Sequence, residues 1–343
     1  MQEIHGGDIY RNKVNLDFSV NTNPLGIPKS VEIALYEAVT CCHEYPDIAA
    51  LKLKETVANL LSIPKEYLLF GNGASEVFMG IMHALRPKSV IIPVPSFYGY
   101  KYVAEAVESK IIYFPLKKEN LFLPQKEFLE MLTEDIDLLF LANPNNPTGK
   151  LIDHQYLKSV LDLCREKNIY VVLDECFISF CKGELSFLSK IDEYPNLLLV
   201  QAFTKIYAIP GVRLGYLVSS NTSLIQKIRK QFPEWNLSVF AQEAGIVCAH
   251  QMAYVEKTVE YVKKEREFLS AHLQEMGIQV FSSDANFILI YSEKLLYELL
   301  LKRGILIRDC ENFRGLSKGY YRIAVKSRKE NEILLKEIGE CIA

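Results

Sequence analysis

The sequence predicts a large three-layer α/β domain, in which helices cover both faces of a mainly parallel sheet, and a smaller α+β domain after it. Apolar runs such as "IYVVLDE" and "IDLLFLANP" lack polar alternation, which is typical of strands buried on both faces. These runs alternate with amphipathic stretches, as in a parallel sheet with crossover helices. The length of 343 residues corresponds to about two domains at roughly 150 residues each.

The alternation of apolar and amphipathic stretches begins near Tyr67. Two further runs beside it are also strand-like, "YLLF" at 67–70 and residues 213–217. The other predicted strands of the central sheet are 89–94, 110–115, 137–142, 170–173 and 197–202. The predicted helices between them are 75–85, 98–107, 125–132 and 154–167.

The pattern changes after Trp235. A long helix is predicted over 238–276, which has few breakers and many charges. Short predicted strands (286–291, 305–308, 320–325) then alternate with helices (294–302, 329–342). Residues 12–26 are too polar and turn-rich to start the central sheet. We therefore expect an N-terminal segment, 1–40, that joins the small domain, a large domain, 41–235, and a small C-terminal domain, 236–343.

Composition excludes several classes of partner. The 39 Lys and Arg residues nearly balance the 42 Asp and Glu residues, and the charges are interspersed, so neither nucleic acid nor an anionic membrane surface is expected to bind. No apolar run is long enough to span a bilayer, and residues 1–10 lack the pattern of a secretory leader. The eight cysteines form no C-x-x-C pair, which argues against disulfides and structural zinc. A cytoplasmic protein without a metal is expected.

Polar motifs follow the predicted strands at the edge where an open parallel sheet binds its ligand. "NPNNPTG" at 143–149 follows "LLFLA"; it could be a plain turn, but seven turn-formers after a buried strand favour a function. Asp174 closes "IYVVL", where a carboxylate is either solvated or paired with a cation. Lys205 follows another apolar run, and Arg213 lies eight residues further on, which suggests a walled site for an anion.

A glycine-containing junction joins "YLLF" to the next predicted helix. Gly71-Asn72-Gly73-Ala74-Ser75-Glu76 could bring free N–H groups of a helix start close to a phosphate. The junction matches neither the phosphate loop ending in Gly-Lys-Ser/Thr nor the dinucleotide fingerprint. A phosphate cradle, an amide-rich loop, a buried carboxylate, a lysine and an arginine are together what pyridoxal phosphate requires.

Four segments carry a resemblance to a known family: "HGGDIY", "LDFSVNTNPLG", "FTKIYAIPGVRLGYL" and "GILIRDCENFRGLSKGYYRIAVKS". They resemble the fold-type I pyridoxal-phosphate-dependent class I/II aminotransferases, and within them the histidinol-phosphate aminotransferase-like group, over nearly the whole chain. The likeness is greatest to those members that decarboxylate L-threonine O-3-phosphate in cobalamin synthesis. The opening His-Gly-Gly and the Tyr-Tyr-Arg segment distinguish these decarboxylating members from the rest of the superfamily, because the lysine and Asn-Pro motifs are shared across it.

The resemblance implies a role for individual residues. Lys205 would form the Schiff base with pyridoxal phosphate, and Asp174 would pair with the ring nitrogen. The other implied cofactor residues are Asn146 on the ring oxygen, Phe97 stacked on the ring, and Gly73, Ala74, Ser75, Thr204 and Arg213 around the phosphate. Tyr45 would reach the phosphate of the neighbouring subunit, which implies a homodimer with shared sites. The implied substrate residues are His5, Gly6, Asn21, Asn146, Arg308 and Arg322, with Arg322 on the α-carboxylate and Arg308 with His5 on the substrate phosphate.

Some of these residues have other readings, and two positions depart from the family. Arg308 and Arg322 could extend to the surface from short strands, and His5 could belong to a disordered tail. Tyr45 and Phe97 could be core aromatics. Phe177 stands where many relatives have a tyrosine that donates to the ring oxygen, and Ala202 stands where relatives often have a hydroxyl for the phosphate.

The resemblance implies decarboxylation of L-threonine O-3-phosphate to an aminopropanol phosphate. The alternatives are an aminotransferase for histidinol phosphate or an aromatic amino acid, and a serine-phosphate decarboxylase. A non-catalytic sensor of the same fold would need a DNA-binding segment, and residues 1–40 contain no basic helix-turn-helix pattern. A nicotinamide dehydrogenase would need G-x-G-x-x-G after a first strand, which is absent.

Overall fold

A computed structural model describes residues 6–183 and 185–342. The strands are β1 Leu16–Asp17, β2 Leu68–Asn72, β3 Ser89–Val94, β4 Lys110–Pro115, β5 Leu138–Ala142, β6 Tyr170–Asp174, β7 Leu197–Ala202, β8 Leu214–Val218, β9 Gln279–Phe281, β10 Phe287–Tyr291, β11 Ile305–Leu306, β12 Arg308–Asp309 and β13 Tyr320–Ala324. The helices are α1 Lys29–Ala38, α2 Leu51–Leu61, α3 Ala74–Leu85, α4 Tyr98–Glu105, α5 Lys126–Glu130, α6 His154–Glu166, α7 Phe203–Ile206, α8 Thr222–Arg229, α9 Val239–Cys248, α10 Met252–Glu275, α11 Leu296–Lys302 and α12 Arg328–Ile342.

Seven strands form the central sheet in the order β2-β8-β7-β6-β5-β3-β4. All neighbouring pairs are parallel except those of β8, which runs against both β2 and β7. β3, β5, β6 and β7 are almost entirely buried, as their unbroken apolar sequences predict. One apolar cluster includes residues of α3, α4 and α8, and another includes residues of α2, α6, α9 and α10. The predicted three-layer α/β fold is confirmed.

A four-stranded antiparallel sheet, β12-β13-β10-β9, follows in the C-terminal part of the chain. The N-terminal strand β1 lies outside the central sheet and pairs in parallel with β11. The predicted strand 305–308 is in fact two strands of different sheets, because the chain leaves β1 at Ile307 and joins β13 with Arg308.

The long helix predicted over 238–276 is also divided. α9 ends at Cys248, and α10 begins at Met252. The break contains neither glycine nor proline, so the sequence lacks the usual signal for it. The backbone N–H groups of His250 and Gln251 bond to the last carbonyls of α9, and the Gln251 side chain donates to the carbonyl of Val247 at 3.3 Å.

The strand directions bring the polar motifs to one edge. β2, β3, β5, β6 and β7 all end at this edge, and β8 begins there. The segments that follow those five strands, and Arg213 just before β8, therefore surround the same space. Across the two described ranges, no helix combines the length and the apolar character needed to cross a membrane.

Candidate active site

A cavity of about 560 Å³ lies at this edge, between the central sheet and the antiparallel sheet. The predicted residues that line it are Gly6, Asn21, Ala74, Ser75, Phe97, Asn146, Asp174, Thr204, Lys205, Arg213, Arg308 and Arg322. Gly73 lies directly beside it, against Arg213. Among the described residues, no group of three or more His, Cys, Asp or Glu side chains could hold a metal ion.

The start of α3 and Arg213 form a cradle for an anion. Gly73 occupies the N-cap position with φ +78°, and no side chain caps the helix, so its first N–H groups face the cavity. A Cβ atom at Gly73 would collide with the guanidinium of Arg213. Gly215 on β8 likewise lets the backbone of Ala74 approach the strand. Only glycine at these two positions allows the backbone and the cation to come this close.

The three asparagines of the 143–149 loop have different tasks. Asn143 accepts from the backbone N–H of Ile152 at 2.8 Å, and Asn145 donates to the carbonyl of Pro95 at 3.0 Å. These two side chains hold the loop in place. Asn146 alone of the three lines the cavity, where its Oδ1 accepts from Arg322 at 2.5 Å. Its Nδ2 group remains as a donor for a ligand.

Asp174 ends β6 as a buried carboxylate. Its Oδ2 accepts from the hydroxyl of Tyr100 at 2.5 Å, and its Oδ1 accepts from the backbone N–H of Cys176 at 2.9 Å. Burial raises the pKa of Asp174, and hydrogen bonds from Cys176 and Tyr100 oppose that rise. No cationic side chain of the described residues forms an ion pair with it. The site is thus prepared for a cation from a ligand.

Glu175, the next residue, belongs to a separate buried network. It accepts from the Ser186 hydroxyl at 2.5 Å, the Gln201 amide at 2.9 Å and the backbone N–H of Phe187 at 3.1 Å. Burial nevertheless raises the pKa of Glu175 from 4.5 to about 7. It does not line the cavity described above.

This network predicts a pH-dependent stability difference. The pKa of Glu175 is higher in the folded state than in the unfolded state, so between these two values the folded state binds a proton that the unfolded state does not. Binding this proton stabilises the folded state, and that stabilisation is lost as the pH rises through about 7. E175Q should therefore gain free energy of unfolding relative to wild type between about pH 5 and pH 8, by at most about 3 kcal/mol. Denaturant unfolding at several pH values measures it. Parallel pH profiles for the two proteins would refute this role of Glu175.

Lys205 projects into the cavity from the short helix α7. Burial is the main cause that lowers the pKa of its amine to about 8, and the positive charges of Arg322 and Arg213 act in the same direction. The amine is therefore partly neutral near physiological pH, as a nucleophile must be.

Aromatic rings form another wall of the cavity. Phe97 precedes α4 and contacts Tyr100 edge-on, with ring centroids 5.6 Å apart. A Cβ atom at Gly99 would collide with the Phe97 ring, so glycine allows the ring to lie where it does. Phe177 also lines the cavity and is buried edge-on against Phe287. Neither ring is a core residue remote from the site.

Two arginines face the cavity from neighbouring strands. Arg308 of β12 and Arg322 of β13 are directly opposite each other in register, and both are less than 10% exposed. The Arg322 guanidinium donates to the carbonyl of Ser19 at 2.7 Å as well as to Asn146, while its Nε finds no partner. Arg308 donates to Asn312 at 2.7 Å and to the carbonyl of Asp309, and it lies over the Phe313 ring. Neither arginine extends to the surface.

Burial is the main cause that lowers the pKa of Arg322 to about 10; the Cys310 thiol opposes this change, and the positive charge of Arg308 acts in the same direction as burial. Two buried guanidinium groups on adjacent strands repel each other unless anions lie between or beside them. Asn21, which also lines the cavity, has a buried Oδ1 without a partner. The two guanidinium groups suit a ligand with more than one anionic group, and the Asn21 oxygen suits a hydrogen-bond donor of that ligand.

The remaining predicted residues are Gly6, His5 and Tyr45. Gly6 lines the cavity, and a side chain there would collide with the carbonyl of Ser19. His5 is outside the described residues. Tyr45 is 83% exposed and contacts Trp235, with ring centroids 5.0 Å apart, so it is not part of this cavity and is not a core aromatic.

Two groups that contribute to the candidate site were not predicted from the sequence. Tyr100, which donates to Asp174, lies three residues after Phe97, and this i, i+3 spacing near a helix start could have indicated it. Ser19 contributes a backbone carbonyl to Arg322, and no sequence signal marks a carbonyl.

A sequence profile of the family "Aminotransferase class I and II" matches residues 13–338. The chain belongs to the class I and II aminotransferase family. Enzymes of this family depend on pyridoxal 5′-phosphate, and it is the cofactor of this chain. The residues present fit it: the cradle suits a phosphate, and the buried Asp174 carboxylate and the Lys205 amine suit a ring nitrogen and an aldehyde.

Particular class I and II aminotransferase relatives are similar along most of the chain. The "Threonine-phosphate decarboxylase" of Salmonella typhimurium is 36% identical over 324 residues, which are 93% of this chain and 89% of that protein. The "Adenosylcobalamin biosynthesis bifunctional protein CobDQ" of Leptospira interrogans is 36% identical over 93% of this chain and 38% of its own greater length. The histidinol-phosphate aminotransferase structure from Clostridium acetobutylicum has a TM-score of 0.90 and 34% identity, and the match covers 95% of this chain and 99% of that one.

Proposed function

We propose that the protein decarboxylates L-threonine O-3-phosphate to (R)-1-amino-2-propanol phosphate and CO₂ for cobalamin biosynthesis. The observation that carries this proposal is the pair of buried guanidinium groups, Arg308 and Arg322, opposite each other on the cavity wall. An amino acid that bears a phosphate offers both a carboxylate and a phosphate to such a pair. The similarity to the Salmonella enzyme and to the Leptospira bifunctional protein supports the same substrate and the same biosynthesis.

The proposed cofactor residues are those around the cradle and the ring position. Lys205 bonds the cofactor, Asp174 holds the ring nitrogen protonated, and Phe97 covers the ring. Asn146 uses its Nδ2 group toward the ring oxygen. The phosphate is held by Gly73, Ala74, Ser75, Thr204 and Arg213. When bound, pyridoxal phosphate supplies a ring that accepts the electron pair released at the substrate Cα.

The proposed substrate residues fix which bond breaks. Arg322 binds the α-carboxylate, and Arg308 with His5 binds the phosphate, while Gly6, Asn21 and Asn146 complete the pocket. Holding both ends of the substrate sets the angle of the Cα–carboxylate bond. That bond breaks, CO₂ leaves, and the electron pair stays on the Cα side. The substrate amine would first take the place of Lys205 on the cofactor, which frees the lysine amine. Its ammonium form would then deliver a proton to Cα, so that the amine product has gained one proton in place of CO₂.

Incubating the purified holoenzyme with threonine phosphate, serine phosphate or histidinol phosphate, each with and without a 2-oxo acid, tests this proposal. Release of CO₂ and the aminopropanol phosphate without an acceptor is expected. The similarity to the Clostridium structure favours a second candidate, a histidinol-phosphate aminotransferase. Turnover of histidinol phosphate that continues only when a 2-oxo acid is present, with no CO₂ from threonine phosphate, would establish that candidate and refute the decarboxylase.

The Arg308 assignment predicts a selective defect. A charge-assisted hydrogen bond contributes about 1.5–3 kcal/mol, so R308Q should raise the KM for threonine phosphate by about one to two powers of ten. Binding of unphosphorylated L-threonine, measured as competitive inhibition, should change little. R303Q, on the exposed end of α11, serves as the control, because Arg303 pairs with Glu337 and Glu340 away from the cavity. Equal losses for phosphorylated and unphosphorylated ligands would count against the assignment.

A second copy of the chain is proposed to cover an exposed apolar surface. The exposed large apolar side chains of this surface lie in or near α1, the 39–51 segment and the starts of α9 and α10: Ile33, Tyr36, Val39, Tyr45, Ile48, Leu51, Trp235 and Met252. Helix α1 packs beside α9, and Tyr45 contacts Trp235, so several of these exposed side chains lie on neighbouring elements, as at an interface. In the proposed homodimer Tyr45 reaches the cofactor phosphate of the partner, so the two sites are shared.

Sedimentation should give a dimer mass, and mixing inactive Y45A with inactive K205A should restore about a quarter of the sites to activity. A monomer, or no restoration on mixing, would contradict shared sites.

We also propose the division into 1–40, 41–235 and 236–343, supported by the pairing of β1 with β11, and a cytoplasmic location, which suits eight cysteines with free thiols.

A further inference from the structure

The helix that carries Lys205 is too short to be stable alone. α7 has four residues, and no side chain caps its start. A single helical turn fixes several residues for very few hydrogen bonds, so it forms only when contacts from elsewhere hold it. Its last carbonyl groups also need partners outside the helix.

Asn23, in the N-terminal segment, bonds to the last two of these carbonyls, while backbone N–H groups of residues 207–209 bond to the first three. Its backbone N–H donates to the carbonyl of Lys205 at 3.1 Å, and its Nδ2 donates to the carbonyl of Ile206 at 2.7 Å. The same Nδ2 donates to the Thr258 hydroxyl on α10 at 2.8 Å, and Oδ1 accepts from the backbone N–H of Leu25 at 2.9 Å. Asn23 is 3% exposed, so these bonds are shielded from water.

The segment that ends at Asn23 also reaches the substrate side of the cavity. The carbonyl of Ser19 accepts from Arg322, and Asn21 lines the cavity. The backbone carbonyl of Asn21 accepts from the Asn286 side chain at 3.1 Å, beside β10. A few residues therefore link the arginine that faces the substrate to the helix that carries the lysine.

We propose that Asn23 is a positioning residue for Lys205, because it caps α7 and fixes the origin of the lysine side chain relative to the cofactor cradle. This inference rests on the proposed role of Lys205. Without the Asn23 side chain the last turn of α7 loosens, and the amine moves out of its buried position. Reaction geometry is sensitive to displacements of this size, since a misplacement of about 1 Å can cost about a hundredfold in rate.

Three variants separate positioning from general stability. N23A removes the side-chain bonds, and N23D keeps the size but turns a donor into an acceptor that faces the carbonyl of Ile206. T258V is the matched control, because it removes the hydroxyl's bonds to Asn23 and to the carbonyl of Tyr254 and leaves both bonds from Asn23 to α7 in place. All three variants are expected to lower Tm, since each leaves a buried polar group without its partner.

In the holoenzyme, N23A and N23D should lower kcat by about ten- to a hundredfold with KM within about threefold, whereas T258V should keep kcat within about twofold. In the cofactor-free protein, the pH midpoint for labelling the Lys205 amine should rise by about half a unit or more in N23A, as the amine becomes less buried. Amide exchange over residues 206–209 should accelerate in N23A and not in T258V.

Wild-type kcat and labelling midpoint in N23A and N23D would overturn the inference, and so would equal losses in N23A and T258V. Failure of the proposed function itself is distinguishable, because the wild-type holoenzyme would then release no CO₂ from threonine phosphate, and failure of the proposed role of Lys205 would place the borohydride label on another residue. If only the present inference fails, the label is on Lys205 and N23A behaves like wild type.

Discussion

K205A is expected to lower kcat for threonine phosphate by at least about three to four powers of ten. In the proposed mechanism the amine at position 205 both bonds the cofactor and moves a proton at Cα, and a positioned acid or base alone contributes about two to four powers of ten. The pKa of Lys205, lowered to about 8 mainly by burial, leaves a larger fraction of the amine neutral near pH 7 than an exposed lysine has. The measurement is single-turnover and steady-state CO₂ release.

Cofactor binding should fall much less than the rate in K205A. The anion cradle at Gly73 and Arg213 does not depend on the lysine, so pyridoxal phosphate should still bind, although it can be dialysed away. K182A is the control, since Lys182 is 71% exposed and pairs with Glu260 outside the cavity. A K205A protein that retains more than about a tenth of wild-type kcat would show that another group performs this chemistry.

D174N is expected to lower kcat by about 1.5 to 3.5 powers of ten. Removing one member of a buried, hydrogen-bonded charge pair costs about 2–5 kcal/mol, and the amide cannot hold a protonated ring nitrogen. Asparagine nearly matches aspartate in shape. Besides the charge, D174N therefore changes mainly the hydrogen bonds that Asp174 accepts from Tyr100 and Cys176. Steady-state kinetics and the visible spectrum of the loaded enzyme measure the effect.

Y100F is the matched comparison for D174N. It removes one hydrogen bond to the carboxylate and keeps the charge, so its loss in kcat should be clearly smaller than that of D174N. Equal losses in the two variants would mean that the hydrogen-bond network, rather than the negative charge, is what the reaction needs.

The sequence predicted the central sheet well, because strands buried on both faces have a compositional signature that needs no tertiary context. β3, β4 and β7 begin and end where the apolar runs do. The placement of Asp174 and Lys205 at one edge followed from the rule that parallel strands end on the same side. The strand directions in the structure satisfy that rule.

The parts that escaped prediction depend on contacts between distant residues. The break between α9 and α10 rests on the Gln251 side chain and contains no glycine or proline. The division of 305–308 depends on which sheet each residue joins, and a run of four residues cannot show this. Asn23 and Ser19 act on residues far along the chain, through an amide and a carbonyl whose partners only the fold reveals.

The proposed role of Lys205 is tested most directly by borohydride reduction of the pyridoxal-phosphate-loaded protein, followed by peptide mapping. A stable pyridoxyl group is expected on Lys205, in the peptide between Phe203 and Arg213, and K205A should carry none. A label on any other lysine, or a protein that neither absorbs visible light after incubation with the cofactor nor takes up a label, would contradict that role.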